Sequence, residues 1–136
     1  MKAKIFIVFM LGVSTTGIAL ADQCPAPESV LTAVKADAQK LDNYQILKQS
    51  NTIPKNTPLQ LWYVSAQHTE GVEYNILSCN YGFKGQKNYL AVLEPTTSST
   101  DNVTPQYSDV WQKIGTQISC PKGGPQHILP NTCSWN

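Results

Sequence analysis

The chain has 136 residues, a formal net charge of +1 and no arginine. Arginine is the usual reader of phosphates and base edges, and the lysines form no cluster that could track a nucleic-acid backbone. This composition argues against a nucleic-acid role and removes the support for docking on an anionic membrane surface.

The N-terminus reads as an export signal. Lys2 and Lys4 supply a positive start, Ile5 to Leu20 a mostly apolar stretch, and Ala19-Leu20-Ala21 a cleavage site. The stretch is short and interrupted by Ser14, Thr15 and Thr16, so no membrane span is expected. Asp22 and Gln23 stand before Cys24 where a lipid-anchored start needs small residues. Losing Lys2 and Lys4 shifts the net charge from +1 to −1. Residues 1–21 are thus expected to be a signal peptide and 22–136 a single disulfide-bonded globular domain, exported to the periplasm or the medium.

Residues 28–41 carry the first element. Val30, Leu31, Val34, Ala38 and Leu41 recur at helical spacing, with Glu28, Lys35, Asp37 and Lys40 opposite. Pro27 suits the first turn and Glu28 the positive end of the dipole. The pattern allows a continuation through Tyr44 and Leu47, with Asp42-Asn43 as a stop. Ile53 to Pro58 is a connector with two prolines. An antiparallel meander is expected next: Leu59 to Ala66, a turn at His68-Thr69-Glu70-Gly71, Val72 to Tyr81, a turn at Gly82-Phe83-Lys84-Gly85, and Tyr89 to Leu93. Short links between such runs favour hairpins.

Pro95 to Pro105 is polar, without periodicity, and reads as a surface loop. Val110, Trp111 and Ile114 suggest a short helix or strand, and Gln117 to Cys120 an extended segment. Lys122-Gly123-Gly124-Pro125 breaks the chain before a strand-like end at Thr132 to Trp135. One helix followed by several strands gives an α+β expectation, the helix packed on one face of an antiparallel sheet.

Cys24, Cys79, Cys120 and Cys133 are an even set in an exported chain, which points to closed disulfides. The favoured pairing is Cys24–Cys79 with Cys120–Cys133, because the second pair is local and Gly-Gly-Pro permits a return. The rival is Cys79–Cys133 with Cys24–Cys120, prompted by the echo between Cys79-Asn80-Tyr81 and Cys133-Ser134-Trp135. A zinc site would need close pairs such as C-x-x-C, which are missing.

Cys24-Pro25, Trp62 in the first strand, Cys79-Asn80-Tyr81, Trp111, Cys120 and a terminal Cys133-x-aromatic occur in an order that resembles a family of small exported bacterial four-cysteine domains of unestablished function. The resemblance implies a single disulfide-bonded domain over nearly all of the exported part, and no catalytic residues.

No constellation for catalysis stands out. His68 lies near Glu70 and Glu73, and His127 lies between the last two cysteines, but neither has metal-ligand spacing. Bridged cysteines leave no thiolate, and no nucleophile elbow or phosphate-binding glycine loop is present. Glu70, Glu73 and Glu94 read as surface charges. No metal and no cofactor are expected. Asn102-Val103-Thr104 matches a glycosylation sequon that matters only in a host that glycosylates exported proteins.

Aromatic residues are the better candidates. Trp62 and Tyr63, adjacent on one strand, are expected to point to opposite faces, one of them outward. Trp111 and Trp135 read as packing residues. The possible binding surface is therefore Trp62, Tyr63 and Tyr107, the last beside the polar loop. The expected function is an exported, non-enzymatic binding module for a protein, glycan or envelope component. The alternatives are a small secreted hydrolase with a site assembled in three dimensions, marked by a pocket lining His68 or His127 with a carboxylate, and a secreted effector or structural envelope component.

Overall fold

The computed structural model describes residues 23–69, 72–96 and 109–135, and the side chains of all of these except 68, 69 and 72–76. The expected signal peptide, most of the polar loop, the sequon and Tyr107 lie outside the described residues.

Among the described residues a single α-helix, α1 (Pro27–Lys35), precedes seven strands: β1 (Lys40–Leu41), β2 (Tyr44–Lys48), β3 (Gln60–Thr69), β4 (Val72–Gly82), β5 (Ala91–Pro95), β6 (Gln112–Ile114) and β7 (Gln117–Cys120). All pair antiparallel in one sheet of order β1-β2-β5-β4-β3-β7-β6. The fold is α+β, as the element pattern predicts. Two-residue turns join β1 to β2 and β6 to β7, and the two longest strands, β3 and β4, pair as consecutive neighbours. The connector through residues 53–58 carries the chain across from β2 to β3.

The helix is shorter than its apolar spacing suggests. Asp37 takes a left-handed φ of 55°. The Ala38 amide then donates to the Ala33 carbonyl at 2.9 Å and the Asp37 amide to Val34 at 3.0 Å. This is the paired closure of a Schellman motif, with aspartate where glycine is usual. Ala33 and Ala38 both pack on the core, supplying the apolar contact that accompanies the motif. Tyr44 and Leu47 therefore belong to β2, not to a longer helix, and Asp42-Asn43 is the two-residue turn between β1 and β2.

Other boundaries also move. β3 runs through Thr69, so His68 lies in a strand, not a turn. Gly82 ends β4, and the following turn uses Gly85 at φ 86°. Pro95 pairs with Tyr44, and the Thr96 amide donates to Asn43, so the polar loop starts later than Pro95. The segment around Ile114 is a strand that returns through Gly115 at φ 60° into β7. The C-terminal segment forms a 3₁₀ turn, Pro130–Cys133, where a strand was expected.

The core lies on one face of the sheet. Val30 and Val34 of α1 pack with Ile46, Leu61, Val64, Leu77, Tyr81 and Leu93. Trp111 and Trp135 are also buried, 3% and 6% exposed, so both are packing residues. The disulfides are Cys24–Cys79 and Cys120–Cys133, and no cysteine is free. Cys79 and Cys120 are both ladder partners of Val64, one on each side. Each cysteine thus ties a non-sheet segment, before α1 or at the 3₁₀ turn, to the centre of the sheet. The Tyr81 hydroxyl adds a bond to the Pro25 carbonyl at 2.7 Å. Two closed disulfides suit a non-reducing environment. Among the described residues no helix is long and apolar enough to cross a membrane.

Candidate functional site

The site arises from an irregularity in β3. Leu61 pairs with Tyr81, but Tyr63 pairs with Asn80, so two steps on β3 match one on β4 and Trp62 is the extra residue of a β-bulge. A regular strand with Leu61 inward would send Tyr63 inward and Val64 outward. With the bulge, Leu61, Val64 and Ala66 all reach the core, at 0%, 0% and 1% exposure. Trp62 and Tyr63 are both left half-buried on the other side. The expected split of these two rings between opposite faces is thus overturned.

Packing fixes the indole. Its Nε1 donates to the Gly82 carbonyl at 3.1 Å. A Cβ built on Gly82 would lie 3.5 Å from Trp62 Cδ1 and 3.6 Å from Tyr89 Cδ1. The bare glycine therefore separates two rings, one from β3 and one from the loop before β5. The Tyr63 hydroxyl accepts from Gln117 Nε2 at 3.1 Å. Half-burial pushes the Tyr89 hydroxyl above the usual tyrosine range, and the nearby Tyr63 phenol adds to the shift.

Trp62 and Tyr89 line a cleft of about 250 Å³ with Gln86, Lys87, Asn88 and Pro125. Pro125 is brought there by main-chain pairing: the Gln126 amide donates to the Trp62 carbonyl at 3.2 Å and the Ile128 amide to Leu61 at 2.9 Å. The Gln86, Lys87 and Asn88 side chains are exposed and carry no hydrogen bond to another described residue. Apolar ring surface and convergent polar groups together are the chemistry of a recognition site.

Of the residues the sequence marks as a binding surface, Trp62 lines the cleft, Tyr63 does not, its hydroxyl being engaged with Gln117, and Tyr107 lies outside the described residues. Tyr89, Gln86 and Asn88 were not singled out. Their signal was an aromatic closing a polar, glycine-containing turn, which reads equally well as an ordinary loop end.

A wider groove of about 630 Å³ runs between α1 and the connector, with Leu31 and Ile53 in its wall and Lys35 and Lys55 beside them. It gathers no aromatic ring. A third recess, of about 130 Å³, lies by Val34 and Ile46. No histidine lines any of these three concavities. His127 is exposed, and the His68 side chain lies outside the described residues. Among the described residues no group of three or more His, Cys, Asp or Glu is placed to hold a metal. Glu94 is engaged on the outer face, accepting from Gln45 at 3.4 Å and Ser78 at 3.5 Å.

No protein-family model matches the chain, and no curated protein or solved structure matches it.

Proposed function

We propose that the protein is an exported binding module, acting in the periplasm or the medium, that recognises a protein, glycan or envelope component through the Trp62–Tyr89 cleft. One observation carries this reading. A bulge places Trp62 and Tyr63 together outside the core, and Gly82 holds open the gap between Trp62 and Tyr89. Half-exposed aromatic residues in a preformed cleft are the usual anchors of recognition surfaces. The indole is already held by its bond to Gly82, so little conformational freedom is lost when a partner docks.

The test is retention of envelope and medium components from the source cells on immobilised protein, wild type against Tyr89→Ala. Truncating an anchor ring at a binding centre costs about 2 kcal/mol or more, close to a thirtyfold loss of affinity. Retention should fall accordingly while the near-UV circular dichroism of buried Trp111 and Trp135 is unchanged. Equal retention by a folded Tyr89→Ala protein would remove the cleft from the function.

A further inference from the structure

We infer that the Trp62–Tyr89 cleft takes an acidic sugar ring, a hexuronate residue of an anionic glycan. The inference rests on the binding-module reading and names its ligand class. Three observations support it, from shape, ring chemistry and charge.

The cleft volume, about 250 Å³, falls below the roughly 300–1,000 Å³ of drug-sized ligand sites. It suits one six-membered ring and not an extended side chain with its backbone. Its walls are the indole of Trp62 and the phenol ring of Tyr89, separated across Gly82. An aromatic face is negative and attracts the slightly positive C–H groups along one face of a pyranose. The same ring surface leaves the hydroxyl groups of the sugar at its edge, where Gln86 and Asn88 present amides that donate and accept.

Charge selects among sugars. Lys87 lines the cleft, and none of the described residues lining it is acidic. The two segments that meet there, residues 82–90 and 121–129, hold Lys84, Lys87, Lys122 and His127 with no Asp or Glu. Glu94, on the sheet face, is already occupied by Gln45 and Ser78. Among the described residues Lys87 has no carboxylate partner, and a neutral sugar offers its ammonium group only hydroxyl oxygens as acceptors. A uronate carboxylate would supply that partner and form a charge-assisted hydrogen bond with the Lys87 Nζ.

Titration of the purified exported protein with trigalacturonate and with maltotriose tests this, read by tryptophan fluorescence and calorimetry. Trp111 and Trp135 are buried, so a fluorescence change reports Trp62. Trigalacturonate should bind at least about tenfold more tightly than maltotriose, a preference weakened by added salt. Lys87→Gln should narrow that preference to about threefold or less. Gly82→Ala puts a methyl on the cleft floor at ordinary contact distance from both rings, and Gly82 does not use a left-handed φ. That variant should fold normally and lose about tenfold or more in trigalacturonate affinity. Equal binding of the two sugars, or trigalacturonate binding untouched by Gly82→Ala, would overturn the assignment. If neither sugar binds while Tyr89-dependent retention of cell components persists, the acidic-sugar inference fails alone. If that retention is missing too, the binding-module reading falls with it.

Discussion

The side-chain amide of Asn80 donates to the main-chain carbonyl of its own ladder partner, Tyr63, at 3.1 Å. The bond sits directly after the bulged Trp62. It satisfies a carbonyl at the point where the regular ladder is interrupted, and Asn80 itself is only 8% exposed. A bulge leaves main-chain groups in need of partners, and here a side chain from the opposite strand supplies one.

Asn80→Asp keeps the shape and removes the donor. It should destabilise the domain by about 1–3 kcal/mol, since a carbonyl then faces a carboxylate in a poorly hydrated place. Urea unfolding measures the loss. Binding at the cleft should weaken in parallel, because the same bulge positions Trp62. Unchanged stability would show that the bulge holds without this bond.

The disulfides close loops of 55 and 13 residues. In the chain-entropy model these restrict the unfolded chain by about 4 and about 3 kcal/mol. Thiol counting on the unfolded, non-reduced protein should find no free thiol. Replacing Cys24 and Cys79 together by serine should cost more than replacing Cys120 and Cys133. A reversed order would place the effect in the folded state, where Cys79 and Cys120 flank Val64.

Asp37 is a site for stabilisation. It holds a left-handed φ of 55° at the C-terminal end of α1, where both its Cβ and its charge are unfavourable. Its contact with Lys48, 3.9 Å between charged atoms on exposed side chains, contributes little. Asp37→Gly should raise stability by about 0.5–1 kcal/mol, read from the urea midpoint at constant slope. A loss of stability would mean that the ion pair outweighs the strain.

Tyr81 makes the fold sensitive to alkali. Burial raises the pKa of its hydroxyl far above the ordinary tyrosine value of 10.0, and Tyr44 adds to the shift. A folded-state pKa above the unfolded one means that the folded state keeps the proton longer. Stability is therefore complete below pH 10 and falls above it, by about 1.4 kcal/mol per pH unit for one such group. Denaturant midpoints at pH 9, 10 and 11 should show the decline, and Tyr81→Phe should flatten it. That variant should cost about 1 kcal/mol at neutral pH for the lost bond to Pro25.

The architecture was legible wherever the signal was local. Apolar spacing at Val30 and Val34 announced a helix, alternating β-rich runs announced antiparallel strands, and the short return between Cys120 and Cys133 pointed to their pairing. Each depends on chain neighbours or on a fixed period, so it survives without knowledge of the fold.

The candidate site was not legible in that way. Trp62 and Tyr63 follow one another, and strand periodicity sends them to opposite faces. Only pairing with β4 shows that Trp62 is an inserted residue, because a bulge is a mismatch between two strands. The end of α1 is similar: Asp37 stops the helix once Ala33 and Ala38 find the core together. By itself the sequence determined the N-terminal helix, the antiparallel run from β3 to β5, a closed four-cysteine framework and the lack of an arginine-based reader of phosphate, whereas β1, β2 and the 3₁₀ turn came only with the fold. Tertiary structure decided which aromatic rings lie outside the core and what stands beside them. The reason is physical: which residues form an element depends largely on neighbours along the chain, whereas a cleft is made by residues that only the fold brings together.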